Sequence, residues 1–530
     1  MANSTRVLST IIAAAGVCLG QSALAQATDE KLGKVHFETS CTPEAAAIFD
    51  HGILYQHSFW YAASQRAFND ALKADPGCAI AYWGIALSLL WNPHSAPPAK
   101  NLAEGAAMLA KGQETGARTE RERDYISALS AMYTDYATVD HRTRVQAYMK
   151  AMEQLATKYP DDDEAQILYA LSLNVAASPA DKTYANQLKG AAILEAIWQR
   201  QPDHPGVAHY LIHLYDTPTL ADKGLAAARH YAKVAPDAPH AQHMPSHIFT
   251  RVGYWQDSIN SNMAAARAAR ASKDNHDQLH AMDYEVYAYL QLGQDARAKT
   301  VIDEMTTVSG FSETFPAGPF ALAASPARYA VERGDWKGAS ALDVRPNPLP
   351  FVTAISWFAK AVGAARSGDT AAAQADIDQL VKLRDQLREK KDAYWSEQVD
   401  IQVRVAQAWT QFALGHQDEA LKMLADAAAA EDRTEKHPVT PGPLMPAREL
   451  YGVMLLEHGD AAEALVAFET TMHKEPNRLN AALGAARAAD ASGDKAKARQ
   501  YYAAAAAQAS DPGADRPQLV EARAFVASAN

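Results

Sequence analysis

The sequence predicts an all-α fold in which helical hairpins stack into a solenoid. Alanine is abundant and runs of β-branched residues are scarce, a composition that favours helix over strand. A Gly-Asp pair recurs at a spacing of 34 residues, first at Gly334-Asp335 and Gly368-Asp369, then at Gly459-Asp460 and Gly493-Asp494. Each pair separates two apolar stretches, as a turn between two helices does. Recurrence at this period is typical of arrays in which each hairpin buries its apolar face against the next.

Two distant segments share the pattern of the second helix of such a hairpin. Phe68 to Pro76 reads F-N-D-A-L-K-A-D-P, and Ala467 to Pro476 reads A-F-E-T-T-M-H-K-E-P. We expect small residues where the helices cross, with the aromatic ring filling the gap to the neighbouring helix. The pattern resembles the tetratricopeptide repeat over most of residues 45–510, although the Trp-Leu-Gly opening of that repeat is mostly absent.

The first 25 residues have the features of a secretory signal peptide. Arg6 precedes a short apolar run from Ile11 to Gly20, and Ala23-Leu24-Ala25 is a small-x-small cleavage site. The apolar run is too short to span a membrane. We expect cleavage near Ala25 and export to a bacterial periplasm.

The remainder divides into residues 26–295, which carry most of the histidines, and residues 296–530, which have the pattern of generic tetratricopeptide-like repeats. Proline-rich loops at Arg345 to Phe351 and at His437 to Pro446 are expected to separate sub-blocks of the stack.

Two cysteines remain after the predicted cleavage, Cys41 and Cys78. In an oxidising compartment an even count of cysteines suggests a disulfide. There is no C-x-x-C motif to suggest a redox role instead. We therefore expect these two residues to form a structural disulfide.

Charge and motifs argue against several classes of function. The net charge is −12 and the signs are mixed along the chain, without the basic block that nucleic-acid binding requires. No apolar stretch beyond the signal peptide approaches membrane-spanning length. The sequence also lacks a P-loop, a G-x-S-x-G and a C-x-x-C-H, which argues against nucleotide, serine-hydrolase and c-type haem chemistry.

Histidines concentrate in one part of the chain and follow the repeat period. Nine of the 18 histidines fall between His204 and His280. His209 and His213 recur as His243 and His247, each 34 residues later. An H-x-x-x-H pair therefore occupies equivalent positions in two consecutive hairpins, where residues i and i+4 share one face of a helix.

Further polar residues lie close to these pairs in the sequence. Asp216 follows His213 by three residues and shares its helix face, and His240 precedes the second pair. The next unit supplies His280, Asp283 and Tyr284. Pro245 fits the first turn of a helix, so this helix is expected to start near Met244, with His240 and His243 just before it, unless residues 240–252 form a continuous helix.

Convergent imidazoles and carboxylates suit a borderline transition metal. Equivalent first helices of a stack lie side by side, so these side chains are expected to converge on the concave face. The predicted metal ligands are His209, His213, His240, His243, His247 and His280. The expected cofactor is zinc or copper, with iron possible, as one ion with orienting partners or as a two-metal site.

A metal-dependent enzyme is the first functional hypothesis. A small molecule or peptide would bind in the groove, and the metal would activate water or handle oxygen chemistry. Asp216 or Asp283 would act as the base, or as further ligands or orienting partners, and Tyr284 is a further catalytic candidate, although tyrosines here are more typical of core or rim. The alternative is a non-catalytic scaffold that binds peptides or proteins on its concave surface.

Three segments carry a closer resemblance: His204 to Asp216, Ala238 to Gly253 with its H-x-x-H-M-P-S-H-I-F, and His280 to Gly293. These, with His57 to Gly84, resemble a group of exported bacterial tetratricopeptide-repeat proteins over about residues 36–295. The resemblance implies the fold and export, and no reaction.

Two further histidines have two possible roles each. His57 and His94 could reach the cluster from the first hairpin or could have ordinary packing and loop roles. Ordinary surface or core roles are expected of seven others, which are His204, His230, His276, His416, His437, His458 and His473.

Overall fold

A computed structural model describes residues 30–528, and every regular element within that range is an α-helix. The predicted all-α class is confirmed. The predicted signal peptide lies outside the described residues. The helices of the first half are α1 Pro43–His57, α2 Tyr61–Ala74, α3 Ala79–Leu89, α4 Ala99–Thr115, α5 Glu120–Tyr133, α6 His141–Lys158, α7 Asp163–Ala176, α8 Ala185–Trp198, α9 Pro205–Tyr215, α10 Ala221–Val234, α11 Pro239–His243, α12 Pro245–Arg251, α13 Trp255–Ser272 and α14 Asn275–Gln291. Those of the second half are α15 Asp295–Met305, α16 Ala317–Glu332, α17 Trp336–Ser340, α18 Pro350–Arg366, α19 Thr370–Glu389, α20 Ala393–Ala413, α21 Gln417–Asp432, α22 Ala447–His458, α23 Ala461–Lys474, α24 Leu479–Ala491, α25 Lys495–Gln508 and α26 Pro517–Ala527.

Consecutive helices pack against each other along the chain, as in α1 with α2, α13 with α14 and α24 with α25. The recurring Gly-Asp pairs explain the turns between them. Gly368 and Gly493 adopt left-handed φ angles of 84° and 89°, which ends one helix. Asp369 and Asp494 then accept a hydrogen bond from the backbone N–H three residues on and cap the next helix.

Two phenylalanines fill the helix crossings as expected. Phe68 is fully buried, and its ring occupies the space where Cβ atoms would stand on Gly52 and Gly84, at 2.5 and 2.7 Å. Phe468 is likewise buried against Gly452 and Gly484. Both phenylalanines stand midway between glycines 32 residues apart, so two distant hairpins use the same wedge.

The loop between α21 and α22, residues 433–446, lies against the first half of the chain. His437 donates from Nε2 to the carbonyl of His94 at 3.0 Å. The Tyr284 hydroxyl lies 3.0 Å from the carbonyls of both Pro438 and Thr440. The segment expected to separate sub-blocks therefore covers helices of the histidine-rich region.

The structure joins Cys41 and Cys78 in a disulfide, which confirms the predicted pairing. This bond ties the segment before α1 to the residue that precedes α3. None of the helices between residues 30 and 528 is long and apolar enough to cross a membrane.

Candidate metal centre

Four helices carry the predicted ligands. α9 and α14 supply His209, His213 and His280, and α11 and α12 supply the other three. α12 packs against α9, and α11 packs against α14. Pro245 begins α12, but Met244 is also helical, so α11 and α12 form a nearly continuous stretch. The expectation of a helix that starts near Met244 with His240 and His243 just before it is confirmed for α12, and both histidines lie in the short helix α11 that leads into it.

The six histidines form two groups of three. His209, His213 and His240 make the first trio, and His243, His247 and His280 make the second. Within each trio one nitrogen per ring lies within 4.8 Å of the others, and all six residues are buried. Each trio thus combines an H-x-x-x-H pair with one histidine from a following helix.

The paired nitrogens are spaced as co-ligands of one ion would be. The Nε2 atoms of His209 and His213 lie 3.1 Å apart, and those of His243 and His247 lie 3.0 Å apart. Two imidazole nitrogens at 2.0–2.1 Å from a tetrahedral ion are about 3.3 Å apart. A shift of a few tenths of an ångström would therefore place an ion between each pair.

Three of the rings are oriented by hydrogen bonds on their outer side. Nδ1 of His209 donates to the carbonyl of His57 at 2.6 Å, and Nδ1 of His243 donates to Oδ1 of Asn262 at 2.7 Å. Nδ1 of His247 donates to the Asp216 carboxylate at 2.9 Å. Such partners fix the tautomer of a metal-binding histidine and leave Nε2 as the donor to the ion.

The amide of Asn262 is itself held in one orientation. Its Nδ2 donates to the carbonyl of Ser258 at 2.7 Å, so Oδ1 faces His243. His243 and His247 therefore both carry their proton on Nδ1, and both present an Nε2 lone pair to the other. Burial lowers the pKa of both rings, so neither is positively charged near neutral pH.

The remaining ligand candidates are also neutral. Burial lowers the pKa of His209 and of His280 to about 3 and lowers the pKa of His213 and His240 well below its usual value. His240 Nε2 and His280 Nδ1 are buried without a hydrogen-bond partner. Burial of an unpaired imidazole nitrogen costs free energy, so a bound ligand that pairs with these nitrogens would stabilise the site.

The two predicted bases are held in ion pairs. Asp216 receives Arg251 Nε at 2.7 Å and Lys436 Nζ at 2.9 Å in addition to His247. Burial opposes ionisation of this carboxyl, but Lys436 and Arg251 lower its pKa. Asp283 accepts from Ser325 and from Arg328, at 2.9 and 2.6 Å. Asp216 thus lies beside the second trio as an orienting partner, whereas the hydrogen bonds of Asp283 lead to α16.

Tyr284 lies at the second trio. Its ring centroid is 4.8 Å from that of His243 and 5.0 Å from that of His247. Its hydroxyl is engaged by backbone carbonyls of the loop 433–446. The ring therefore packs on the ligands, while the hydroxyl anchors the loop.

Further residues lie near the two trios. His94, which the sequence left open, has its ring 4.7 Å from that of His213. Glu164 accepts from His57 and from His204, at 2.9 and 2.8 Å, and these three form another group with metal-binding geometry. His204 lies in the histidine-rich part of the chain, which is a signal that could have identified it. Glu164 directly follows three aspartates, so the sequence does not distinguish it from an ordinary surface acidic residue.

A cavity of about 160 Å³ adjoins both trios. His213, His240, His247 and His280 lie on its wall, together with His94. The wall also includes aromatic side chains from the turns after α1 and α3 and from the segment before α16. A small molecule in this cavity would contact histidines of both trios.

No protein-family model and no curated protein sequence matches the chain. Among solved structures, yeast Tom70 aligns over 92% of this chain and 96% of its own, with 12% identity and a TM-score of 0.27. The human IFIT1 dimer with m7Gppp-AAAA aligns over 89% and 97%, with 11% identity and a TM-score of 0.33. The TPR domain of P58(IPK) aligns over 72% and 99%, with 13% identity and a TM-score of 0.21. Superpositions at these scores carry no conclusion about function.

Proposed function

We propose that the protein binds two transition-metal ions, one at each histidine trio. The observation that supports this most strongly is the pair of Nε2 lone pairs on His243 and His247, which face each other at 3.0 Å. Two lone pairs repel, and neither ring has a spare proton because both Nδ1 protons are already donated outward. A cation between the two nitrogens would turn this repulsion into coordination.

Copper fits this ligand set best. All six candidate donors are neutral imidazoles, and the carboxylate of Asp216 is already balanced by Arg251 and Lys436. Two divalent ions would add four buried positive charges, whereas two Cu(I) ions would add two. Imidazole binds copper, zinc and iron, so the lower charge decides in favour of copper.

The proposed activity is oxygen chemistry at this pair of ions in the periplasm. Hydrolysis is less well supported, because Asp216 and Asp283 are both committed to ion pairs and would have to break them to act as bases. Two Cu(I) ions held by the trios would supply the two electrons that, with two protons from solvent, reduce one O₂ to hydrogen peroxide, and a reductant would return the resulting Cu(II) ions to the less highly charged Cu(I) state. The cavity beside the trios would admit O₂ and a reductant.

Oxygen uptake tests this activity. The full chain is loaded with two equivalents of Cu(I) under anaerobic conditions and then mixed with oxygenated buffer. The proposal expects uptake of one O₂ per two copper ions, and repeated turnover when ascorbate is supplied. Protein that retains copper but takes up no oxygen would contradict the proposed activity while leaving the metal site intact.

A peptide-binding scaffold is the second candidate. A separate cavity of about 100 Å³ lies between the two halves of the stack, with Trp395 and Tyr394 on one side and Lys474 and Glu475 on another. A cavity of this volume with mixed aromatic and charged walls is suited to one side chain of a peptide bound across the surface. Protein purified without metal that still captures a peptide at these residues would favour the scaffold function.

A further inference from the structure

We propose that the cavity beside the two trios binds a small planar aromatic alcohol, a phenol of a single ring. This inference rests on the proposed function, because the bound phenol would face the two metal ions. The walls of the cavity are formed by the protein's own side chains and do not depend on the ions.

Three aromatic rings from separate segments define the walls. Phe59 follows α1, and its ring centroid lies 4.4 Å from that of His209 and 5.2 Å from that of His240. Trp91 follows α3 and meets Phe315 edge to face at 5.6 Å. Trp91 and Phe315 are partly exposed at the cavity. Offset and edge-to-face contacts with such rings favour a flat aromatic ligand over an aliphatic one.

The backbone at two of these rings is strained. Phe59 and Trp91 have φ angles of 53° and 57°, in the left-handed region that bulky residues avoid. Such conformations cost on the order of 1–3 kcal/mol each and concentrate at ligand sites. Both strained positions lie in turns that direct an aromatic residue to the same cavity, which indicates that the placement of these rings serves binding.

The size of the cavity suits one ring. Its volume of about 160 Å³ is close to the roughly 150 Å³ that accommodates benzene in an apolar protein cavity. A ligand with two or more fused rings would require the walls to move.

The polar groups on the wall suit a neutral hydroxyl. The Tyr61 hydroxyl and Nε2 of His94 are buried without a hydrogen-bond partner, and both residues line the cavity. The described residues on this wall include no lysine or arginine, and they do include Asp274 and Asp277. No lysine or arginine side chain on this wall would therefore balance a carboxylate or phosphate, which would also lie near Asp274 and Asp277, whereas a neutral alcohol needs no counter-charge from the side chains.

Direct binding measurements test this assignment. Phenol and cyclohexanol are titrated calorimetrically into the full chain, both copper-loaded and metal-free, with copper content measured on each sample. The variants are Phe315→Ala and Phe315→Leu, which remove the ring, and Phe311→Ala, a control in the same segment that does not line the cavity. Phe315→Leu keeps an apolar side chain in case the alanine variant folds poorly.

We expect saturable phenol binding, much weaker cyclohexanol binding, and about tenfold weaker phenol binding in both Phe315 variants. After loading, copper content should be equal in the wild type and all three variants, and Phe311→Ala should bind phenol as wild type does. Equal binding of phenol and cyclohexanol, or equal behaviour of the Phe315 and Phe311 variants, would overturn the inference. A chain that binds phenol but no copper would support the cavity and contradict the proposed function instead.

Discussion

His243 and His247 present their Nε2 atoms to each other at 3.0 Å while both donate their Nδ1 protons away from the pair. This relationship gives the H-x-x-x-H motif a function beyond sharing a helix face. A buried polar network ordinarily pairs donors with acceptors. Here two acceptors meet, and this is the observation from which we propose a cation between them.

Replacing Asn262 with alanine should weaken metal binding about 10- to 100-fold, because His243 would lose the partner that fixes its tautomer. Helix content should change little, since α13 keeps its packing. Competition with a chelator of known affinity measures the effect. The control is Asn260→Ala, an exposed position on the same helix. Equal affinity in the two variants would show that Asn262 does not orient a ligand.

Gly84→Ala should destabilise the protein by about 1–3 kcal/mol, since the new Cβ would lie 2.7 Å from the ring of Phe68. Helix propensity alone predicts the opposite sign, because alanine is favoured over glycine inside a helix. Urea denaturation gives the free energy of unfolding. Combining Gly84→Ala with Phe68→Leu should cost less than the sum of the two single changes. A stabilised Gly84→Ala variant would show that the Phe68 ring is not packed tightly against Gly84.

Removal of the disulfide by Cys41→Ser and Cys78→Ser together should lower the free energy of unfolding by roughly 3–4 kcal/mol, from the loop that the bond closes. Mass spectrometry of the unreduced protein should find no alkylatable thiol in the mature chain. Two reactive thiols in protein recovered from the periplasm would count against the bond.

Glu285 makes stability depend on pH. Burial, reinforced by Glu304, raises its pKa to about 7, from 4.5 for an ordinary glutamate. The folded state therefore binds the proton more tightly than the unfolded chain, so this contribution is complete below pH 4.5 and is lost as the pH rises through 7. Glu285→Gln should remove this decrease in stability at higher pH. The free energies of unfolding of the wild type and the variant at pH 5 and pH 8 measure the decrease, and parallel pH profiles would contradict the role of Glu285.

The helical-hairpin fold could be predicted from the sequence because helix ends and caps depend on residues that are close together in the chain. The Gly-Asp pairs mark where one helix ends and the next is capped, and the 34-residue recurrence reports the hairpin. The wedge of Phe68 was likewise readable from its match to Phe468. The start of α12 at Pro245 was also predicted, because proline suits the first turn of a helix, whereas the short helix α11 that holds His240 and His243 before it was not.

The candidate site was predicted as a set of residues but not as an arrangement. The repeat offset identified the two histidine pairs, and all six predicted ligands come together. Their division into two trios depends on which neighbouring helix supplies the third ring, which spacing alone does not determine. Contacts over long separations, such as Lys436 with Asp216, have no local signal, because they depend on how the second half of the stack returns to the first.

Metal content tests the central claim most directly. The untagged protein is purified from the periplasm and analysed for copper, zinc and iron, alongside His243→Ala and the control His416→Ala, which replaces an exposed histidine at the start of α21. We expect close to two ions per wild-type chain, a loss of at least one in His243→Ala with helicity preserved, and no change in His416→Ala. A wild-type chain with little metal, or equal metal in the two variants, would contradict it.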